Sequence, residues 1–385
     1  MFDSIVIGAG VAGCVLAREL AEKMNKKVLL LEQREHIGGN CYDELDRYKI
    51  LVHKYGPHIF HTNIQRVYDY LSKFTEWFPY SHEVVASVRG DYFPVPFNLN
   101  SLEKVYGKEE SKKMEDKLVE TFGQDARVSI LELKKKEDVC LQKIADYIYQ
   151  NVFLHYTMKQ WGQKPEEMDK EVMSRVPILI SRDNRYFQDK WQGMPQDGYT
   201  KLFEKMVQHE NITICVNTKA QEKIELKNGK VLYEGQIFQG EVIYTGPLDE
   251  LFGFCYGRLP YRSLKFEMEH YEQEFYQTHG VVNYTVDEDF TRITEFKHMT
   301  GQKSSETTIM KEYSMAYEGK EGQIPYYSIL NDENRKLYQR YYEDVKQYNN
   351  IFVIGRLAEY QYYNIDSMVE KALILAEKIQ TTKEK

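Results

Sequence analysis

The hydrophobic pattern of the N-terminal region predicts two buried strands on either side of one helix. Residues 3–8 form a short apolar run that ends in glycine, and residues 27–32 form a second apolar run. Both runs are typical of buried strands. Residues 11–24, which lie between them, carry apolar side chains at helical spacing. A strand, a helix and a strand in this order form a βαβ unit, in which the two strands lie parallel in one sheet.

The pattern changes further along the chain. Residues 101–150 are highly charged and carry apolar residues at helical intervals, which predicts a helical segment. Strand-like runs alternate with turns over residues 211–247, where an Asn-Gly pair predicts a hairpin. Strand-like runs then dominate residues 262–328, which predicts a largely antiparallel sheet. Residues 351–356 read as one more buried strand, and residues 367–379 read as a helix.

Length and charge narrow the class of protein. The chain has 385 residues, which is too long for one ordinary hydrophobic core and favours two or three domains. Hydrophobic residues make up 42% of the chain and charged residues 29%, a composition typical of soluble globular proteins. The formal net charge of −8 argues against a nucleic-acid binder. A bound anion would therefore depend on a few well-placed arginines.

The chain lacks the sequence signals of membrane insertion and of disulfide pairing. It has no apolar run of about 18 residues, and its N-terminus shows neither the basic region nor the cleavage site of a signal peptide. Five cysteines occur without a CxxC pair, which indicates reduced thiols and no metal site. We therefore expect a cytoplasmic protein that binds neither membranes nor nucleic acid. The 31 tyrosines fit ordinary packing or a ligand site, and composition does not separate the two.

A glycine motif follows the first predicted strand and opens the first predicted helix. Gly8, Gly10 and Gly13 form a G-x-G-x-x-G pattern, and Glu32 closes the second strand. In a dinucleotide site the first glycine permits the tight turn, the second lets the pyrophosphate approach, and the third lets helix and strand pack. The helix N-terminus attracts phosphate, and an acidic residue binds ribose hydroxyls. A glycine-rich turn without a ligand is the alternative.

Two further elements favour FAD over a nicotinamide cofactor. Gly38, Gly39 and Asn40 follow Glu32 closely, and an NAD site does not need this second glycine pair. The C-terminal strand and helix could return to the same sheet and direct a second helix N-terminus at the ligand. The use of both chain ends on one cofactor is typical of large flavoproteins, so we expect FAD.

With these motifs in place, the chain resembles the bacterial-type UDP-galactopyranose mutases over about residues 3–372. The resemblance rests on ten strings: HIGGN (36–40), HKYGPHIFHT (53–62), FPVPFN (93–98), YTMKQWG (156–162), SRVPILISRDNRYF (174–187), GYTKLFEKM (198–206), YTGPLDELF (244–252), YRSLKFE (261–267), PYYS (325–328) and GRLAEYQYYN (355–364).

The resemblance implies an α/β fold with three domains: a Rossmann-like FAD-binding domain, a helical domain and a mostly antiparallel β-sheet domain. The expected boundaries are 1–80, 195–255 and 340–385 for the discontinuous FAD domain, 98–170 for the helical domain, and 81–97, 171–194 and 256–339 for the sheet domain.

The activity implied by the resemblance is isomerisation. The enzyme would interconvert UDP-galactopyranose and UDP-galactofuranose, and so supply galactofuranose for cell-surface glycans. FAD would act in its reduced form through a covalent adduct between flavin N5 and the sugar, without net redox change. The resemblance also implies a homodimer and a source of electrons, such as NAD(P)H or a flavin reductase, that the sequence does not identify.

Three residues match catalytic positions of the family. Arg175 and Arg292 match its two key arginines, which suit bidentate binding of the diphosphate. Their alternatives are a surface arginine for Arg175 and a cross-strand ion pair for Arg292. His58 is expected beside the flavin and the sugar, whereas His61, three residues later, is a weaker candidate. No third ligand accompanies the two histidines, so we expect no metal.

The remaining implied contacts divide between substrate and cofactor. Substrate contacts match Tyr156, Thr157, Trp161, Tyr186, Phe187, Asn283, Tyr327 and Tyr362. Cofactor contacts match Gly8, Gly10, Val11, Ala12, Gly13, Glu32, Gly39, Asn40, His58, Ile59, Gly355, Arg356, Asp366, Ser367 and Met368.

Two substrate positions depart from the family. Asn364 stands where many bacterial members have aspartate, and His82 replaces a frequent asparagine near the uridine pocket. Both changes leave the preferred sugar open, including acceptance of a 2-acetamido group. Two other classes compete with the mutase: an FAD-dependent oxidase or desaturase of the amine oxidase type, and a non-catalytic GDI-like binding protein.

Overall fold

A computed structural model describes residues 2–162 and 177–383. The chain divides into two compact units. The first unit comprises Met1–Pro79, Asp189–Tyr261 and Pro325–Lys385, and the second comprises Tyr80–Gln188 and Arg262–Ile324. The predicted helical domain and most of the predicted sheet domain fall in the second unit, so the division between those two stays a prediction.

The α-helices of the described residues are, in chain order, α1 Val11–Met24, α2 Gln65–Leu71, α3 Leu99–Phe122, α4 Ile130–Lys134, α5 Val139–Ile148, α6 Leu154–Trp161, α7 Tyr199–Val207, α8 Leu248–Leu251, α9 Phe296–Thr300, α10 Asp332–Val345 and α11 Ile365–Lys383. Within this part of the chain, no helix combines the length and the apolar character needed to cross a lipid bilayer.

The β-strands are, in the same order, β1 Ser4–Ile7, β2 Val28–Leu31, β3 Asp43–Leu45, β4 Leu51–His53, β5 Phe60–Thr62, β6 Trp77–Phe78, β7 Val84–Val88, β8 Asp91–Val95, β9 Arg127–Val128, β10 Ile178–Leu179, β11 Trp191–Pro195, β12 Ile212–Cys215, β13 Ile224–Lys227, β14 Lys230–Tyr233, β15 Gln236–Ile237, β16 Glu241–Tyr244, β17 Tyr261–Tyr271, β18 Val281–Tyr284, β19 Arg292–Glu295, β20 Thr307–Ala316, β21 Tyr327–Ser328 and β22 Ile351–Val353.

A five-stranded parallel sheet forms the centre of the first unit. Its strand order is β12-β2-β1-β16-β22, and each neighbouring pair is parallel. Every residue of β1 and β2 is buried, because helices cover a parallel sheet on its faces. The predicted βαβ unit is therefore confirmed. The C-terminal strand β22 joins this sheet beside β16, as predicted, and α11 packs against α1.

The predicted Asn-Gly hairpin joins β13 to β14. Lys227 and Lys230 are paired across the turn, and both turn residues have positive φ, 50° at Asn228 and 69° at Gly229. A two-residue turn with two positive φ angles matches the twist of the strands that flank it. This local signal therefore predicted the structure correctly.

The second unit contains a sheet and a helical cluster. Strands β17, β20, β19, β18, β7 and β8 lie side by side in this order, and all neighbours are antiparallel except β18 and β7. Helices α3, α4 and α5 bury an apolar core that includes Leu118, Leu133 and Ile144. The helical segment and the mostly antiparallel sheet predicted from the sequence are both confirmed.

One of the strand-like runs predicted within residues 262–328 is longer than the strand that it contains. The run at residues 291–298 forms a strand only from Arg292 to Glu295, and the chain then turns into α9. Phe296 and Met299 are both buried, so the apolar spacing over α9 serves one helical face. The β-branched residues before them produced the strand-like pattern, but tertiary burial decides where the strand ends.

Candidate functional site

The structure gives different answers to why each position of the glycine motif in the first unit is occupied by glycine. A Cβ on Gly13 would lie 1.9 Å from the carbonyl oxygen of Gly8, so the fold itself requires glycine there. Gly8 has φ +97°, which also favours glycine. Gly10 has an ordinary φ of −82°, and a Cβ there would meet a single atom among the described residues, the Cα of Gly39 at 3.7 Å. The fold alone therefore does not explain Gly10.

The second glycine pair packs directly on the first glycine loop. The N–H of Gly38 donates to the carbonyl of Ala9 at 2.7 Å. A Cβ on Gly39 would lie 2.9 Å from the Cα of Gly10, and Gly39 has φ +56°. The partner of this second glycine pair is therefore the glycine loop itself. The two glycine motifs thus form one backbone surface at the start of α1, whose first residues are Val11 and Ala12.

Glu32 holds the glycine loop from the end of β2. One carboxylate oxygen of Glu32 accepts the N–H of Ala9 at 2.8 Å, and the other accepts the N–H of Arg34 at 2.8 Å. The side chain is buried, yet each carboxylate oxygen can accept a further hydrogen bond. Glu32 can therefore bind a hydroxyl-bearing ligand while it holds the loop.

Arg34 lies beside Glu32 and was missed by the sequence analysis. Its Nη2 donates to Oδ1 of Asn40 at 2.9 Å, and its guanidinium lies 4.3 Å from the ring centroid of Tyr55. Its Nη1 is buried and has no hydrogen-bond partner among the described residues. A buried guanidinium nitrogen without an acceptor is costly. The available signal was a basic residue two positions after Glu32 and six positions before Asn40, a predicted cofactor residue.

Three strand ends meet at the same edge of the parallel sheet. Thr245, which follows β16, donates through its N–H and its hydroxyl to the carbonyl of Ile7, at 3.0 and 2.9 Å. A Cβ on Gly8 would lie 2.1 Å from the Thr245 hydroxyl oxygen. Gly355, after β22, has φ +123°, and a Cβ there would lie 3.3 Å from the carbonyl oxygen of Thr245. Thr245 was missed, although a polar residue directly after a buried strand was a usable signal.

Arg356, a predicted cofactor residue, lies beside two predicted substrate residues. Its guanidinium lies 4.3 Å from the ring centroid of Tyr362 and 5.6 Å from that of Tyr327. The two tyrosine rings stack with a centroid distance of 6.4 Å. Tyr362 is 40% exposed, so packing alone does not explain it. The structure therefore brings Arg356, Tyr327 and Tyr362 together.

The start of α11 contains the last predicted cofactor residues. The carboxylate of Asp366 accepts the N–H of Ser367 at 2.7 Å. Met368 is buried, and its N–H donates to the carbonyl of Asn364 at 3.1 Å. The side chain of Asn364 is exposed.

A hydrogen bond joins His53, buried at the end of β4, to half-buried His58 in the loop before β5. The N–H of His58 donates to Nδ1 of His53 at 3.2 Å, and Nδ1 of His58 lies 2.9 Å from the carbonyl oxygen of Gly56. Because a carbonyl only accepts, Nδ1 of His58 carries the proton and Nε2 keeps a lone pair. Burial lowers the pKa of His58 to about 3 and that of His53 to about 4, so both rings are neutral at pH 7. Ile59 follows and is half-buried.

His61, the weaker histidine candidate, has a structural partner. Its Nδ1 lies 2.8 Å from a carboxylate oxygen of Asp189, and the other carboxylate oxygen of Asp189 accepts from the Asn63 amide. These contacts join β5 to the residues that directly precede β11. The structure therefore separates the environments of His58 and His61.

In the second unit, Arg292 joins a strand to a helix. Its Nη2 donates to the hydroxyl of Tyr156 at 2.9 Å, and its Nε lies 3.2 Å from a carboxylate oxygen of Glu312. Arg292 and Glu312 are register partners on β19 and β20, so the cross-strand ion pair considered for Arg292 exists. Burial raises the pKa of Tyr156, and the charge of Arg292 opposes that shift. Glu312, 2% exposed, was missed.

Asn283 lies opposite Arg292 on the neighbouring strand. Its Oδ1 is buried and has no hydrogen-bond partner within the described part of the chain. Thr157 and Trp161 follow Tyr156 on α6, and Thr157 is buried. The structure thus groups Tyr156, Arg292 and Asn283 around one helix and one pair of strands.

Aromatic rings form a second group in this unit. His82 lies 5.7 Å from the ring centroid of Tyr186 and 6.1 Å from that of Phe187. The N–H of Tyr186 donates to the carbonyl of His82 at 2.7 Å, and the hydroxyl of Tyr80 lies 3.0 Å from Nδ1 of His82. The flat faces of such rings suit a nucleobase.

Arg175, the other predicted catalytic arginine, lies outside the described residues. Among residues 2–162 and 177–383, no group of three or more His, Cys, Asp or Glu side chains converges as metal ligands would.

Two known families match parts of the chain. Residues 151–362 match the family described as UDP-galactopyranose mutase, and residues 6–74 match an NAD(P)-binding Rossmann-like domain. The chain is 36% identical over 382 residues to UDP-galactopyranose mutase of Mycoplasma genitalium, covering 97% of this chain and 93% of the relative. The relative of the same name from Mycoplasma pneumoniae is 35% identical over 385 residues, with 98% and 96% covered.

Other relatives broaden the comparison. A dTDP-fucopyranose mutase of Escherichia coli is 34% identical over 377 residues, covering 97% of both chains. A crystal structure of reduced UDP-galactopyranose mutase superposes with a TM-score of 0.75 at 16% identity, covering 99% of this chain and 94% of that one. Putrescine oxidase bound to putrescine has a TM-score of 0.60 at 14% identity, with 99% of each chain covered. Both structures are similar in fold, which agrees with the fold class expected from the sequence.

Proposed function

Because the chain belongs to the UDP-galactopyranose mutase family and is therefore a pyranose/furanose mutase acting on a nucleotide sugar, we propose that it interconverts UDP-galactopyranose and UDP-galactofuranose with reduced FAD. The observation that carries this proposal is the similarity, along nearly the whole chain, to curated relatives of that name. The fucopyranose relative makes a dTDP sugar the competing substrate.

The residues of the first unit fit a dinucleotide. Gly10 leaves space that the fold does not require, and a bound pyrophosphate would use that space. Glu32 retains acceptor capacity for ribose hydroxyls, and Arg34 has a buried donor that an anionic ligand would satisfy. The glycine loop opens α1, whose N-terminus favours phosphate. We assign these residues to FAD, with Asn40, Gly355 and Arg356 as further contacts.

Ring contraction explains why UDP must remain held. The anomeric carbon loses UDP, the ring oxygen is exchanged for the 4-hydroxyl oxygen, and UDP then returns. Bound FAD in its reduced form would supply a nucleophilic nitrogen, N5, for exchange at the anomeric carbon. The chain itself then has to bind the leaving diphosphate, orient the sugar and exclude water.

Arg292 is our proposed anchor for the diphosphate. The ion pair with Glu312 and the hydrogen bond to Tyr156 hold its guanidinium in one orientation, which lowers the entropic cost of binding phosphate. Asn283 has a buried amide oxygen without a partner among the described residues, and a substrate hydroxyl would satisfy it. Tyr156 and Asn283 therefore complete the proposed contacts around Arg292.

The other proposed substrate contacts follow the resemblance. They are Thr157, Trp161, Tyr186, Phe187, His82, Tyr327, Tyr362, Asn364 and, outside the described residues, Arg175. The rings of His82, Tyr186 and Phe187 suit the base. The exposed amide of Asn364 offers hydrogen bonds but no charge, so a carboxylate is not part of this proposal.

His58 is proposed as a neutral hydrogen-bond acceptor. Its Nδ1 proton is held by the carbonyl of Gly56, and burial lowers its pKa to about 3. Nε2 would therefore accept a hydrogen bond from the flavin or a sugar hydroxyl. Ile59 and the first turn of α11, Asp366 to Met368, are proposed beside the same cofactor. A homodimer and an external reductant also remain proposals.

Two rival functions lose support. A non-catalytic binding protein disagrees with membership of an enzyme family. An amine-oxidase-type function is supported by shared fold alone, because putrescine oxidase is 14% identical.

Product analysis with two substrates tests the proposal. The purified holoenzyme is incubated with UDP-galactofuranose or dTDP-fucopyranose, each with and without dithionite, and the products are separated by chromatography. We expect UDP-galactopyranose to form with reduced enzyme and without stoichiometric loss of reductant. Conversion of the fucose nucleotide alone would overturn the proposed substrate, and conversion of neither by reduced, flavin-loaded enzyme would overturn the proposed reaction.

A further inference from the structure

Lys159, near the end of α6, binds the backbone of a distant turn. Its Nζ donates to the carbonyl oxygens of Tyr284, Glu288 and Phe290 at 2.5, 2.9 and 3.2 Å. An ammonium has three donors, so these three acceptors use its full capacity. Lys159 belongs to the YTMKQWG string, but no substrate or cofactor role has been assigned to it.

The turn held by Lys159 connects the strands that carry two proposed substrate residues. Asn283 lies on β18 before the turn, and Arg292 opens β19 after it. Tyr156, on the same helix as Lys159, accepts a hydrogen bond from Arg292. A single ammonium group therefore connects the helix of Tyr156 to the turn that places Asn283 and Arg292.

A second contact holds the same turn near the start of the helix. The hydroxyl of Thr285 donates to the carbonyl of Asn151 at 2.7 Å and lies 3.2 Å from the carbonyl oxygen of Ser87, and Thr285 is 2% exposed. Asn151 lies in the π-helical segment Tyr149–Phe153 that precedes α6. The β18–β19 turn is thus bonded to the chain both before α6 and near its end.

The C-terminal end of α6 is held from the other side. Arg262 donates from Nε to the carbonyl of Gln160 at 3.1 Å, and the hydroxyl of Ser314 donates to the same carbonyl at 2.6 Å. These donors satisfy a terminal carbonyl that has no partner within the helix. These hydrogen bonds fix the end of α6 to β17 and β20, so the helix that carries Lys159 is itself held in place.

We propose that Lys159 is a positioning residue for substrate binding: it fixes Arg292 and Asn283 relative to Tyr156 without contacting the substrate itself. This inference rests on the proposed function of those three residues. Burial lowers the pKa of the Lys159 ammonium, and the acidic side chains of Glu288, Asp289 and Asp287 in the same turn oppose that shift. Replacement of Lys159 by an apolar side chain would leave three carbonyls without a donor and would free the turn to move.

Lys297 is a matched control within the same unit. It is 2% exposed, and its Nζ also donates to three backbone carbonyls, those of Glu274, Ser304 and Glu306, at 2.6, 2.6 and 3.0 Å. None of these carbonyls belongs to the β18–β19 turn or to α6. Loss of Lys297 therefore removes a comparable set of hydrogen bonds without releasing the turn that connects β18 to β19.

The test compares Lys159→Met, Lys159→Arg and Lys297→Met in the flavin-loaded enzyme. Dissociation constants for UDP and for dTDP are measured by calorimetry, together with melting temperature, flavin content, kcat and KM. We expect Lys159→Met to weaken binding of the preferred nucleotide about tenfold or more, which is ~1.4 kcal/mol. Lys297→Met should leave that affinity within about twofold of wild type while lowering the melting temperature. Lys159→Arg should restore most of the affinity, since arginine can also donate to several carbonyls.

Two results would overturn the inference: unchanged nucleotide affinity in folded Lys159→Met, or equal losses of affinity in Lys159→Met and Lys297→Met. If Lys159→Met does not fold, Lys159→Arg and Lys159→Gln are compared with Lys297→Gln by the same criterion. Failure of the proposed function would look different, because wild-type enzyme would then convert either the fucose nucleotide alone or no nucleotide sugar.

Discussion

The guanidinium of Arg292 donates a hydrogen bond to the hydroxyl of Tyr156 at 2.9 Å, although 136 residues separate the two along the chain. The same guanidinium forms an ion pair with Glu312, whose side chain is 2% exposed. Arg292 therefore balances a buried charge, and we propose that it also presents donors to the diphosphate, a role that experiment can separate from the first.

Substitution of Arg292 should affect both stability and ligand binding. Arg292→Met leaves the Glu312 carboxylate buried without its cation, and breaking such a pair costs about 3–5 kcal/mol. Adding Glu312→Gln removes the unpaired charge, so the double variant should recover most of that stability. Binding of UDP should remain lost in both variants. Denaturant titration and calorimetry measure the two effects, and recovery of UDP affinity in the double variant would exclude Arg292 as a ligand-binding group.

Substitution by alanine should have different effects at Gly13 and Gly10 of the glycine motif. In Gly13→Ala the new Cβ would lie 1.9 Å from the Gly8 carbonyl oxygen, so we expect little folded protein. In Gly10→Ala the new Cβ meets the Cα of Gly39 at 3.7 Å, so the apoprotein should fold. Because that Cβ would occupy the proposed pyrophosphate space, flavin content should fall sharply. Circular dichroism and the flavin absorbance of purified protein check this, and a fully yellow Gly10→Ala protein would contradict the assignment.

Two substitutions of Tyr362 separate the contribution of its aromatic ring from that of its hydroxyl. The phenylalanine variant keeps the ring that lies 4.3 Å from the Arg356 guanidinium but removes the hydroxyl. Tyr362→Phe should therefore weaken UDP binding by about 1 kcal/mol and leave flavin content unchanged. Tyr362→Ala should in addition lower flavin retention, because Arg356 loses a stacking partner. Equal UDP affinity in wild type and Tyr362→Phe would remove the hydroxyl from the proposed substrate contacts.

Buried His53 should make the protein sensitive to acid. Burial lowers its folded-state pKa to about 4, below the unfolded value of about 6.5. The unfolded chain therefore binds a proton first as the pH falls, and stability present above pH 6.5 is lost between about pH 6.5 and 4. At pH 5 the loss from His53 is ~2 kcal/mol.

The control is His53→Gln, whose side-chain oxygen can still accept the N–H of His58. This variant should show a smaller drop in unfolding free energy between pH 7 and pH 5 than wild type, as measured by urea denaturation at each pH. An identical pH dependence in both proteins would show that His53 does not titrate on unfolding.

Local sequence signals predicted much of the fold. The βαβ unit follows from short apolar runs and one amphipathic stretch, and its glycine motif follows from the need for a tight turn and close packing. The Asn228-Gly229 hairpin follows from positive φ angles that few other pairs adopt. The change from strand to helix after Glu295 was not predicted, because burial of Phe296 and Met299 depends on distant neighbours.

The sequence by itself determined the glycine loop, its acidic partner Glu32 and the family, because these depend on residue types at fixed short spacing. The tertiary structure alone decided which side chains support them. Glu312, Thr245 and Lys159 act on residues that are distant in the sequence, and no spacing rule encodes such partners. Strand order and register bring them together, since parallel strands end at one edge and antiparallel strands pair residue by residue.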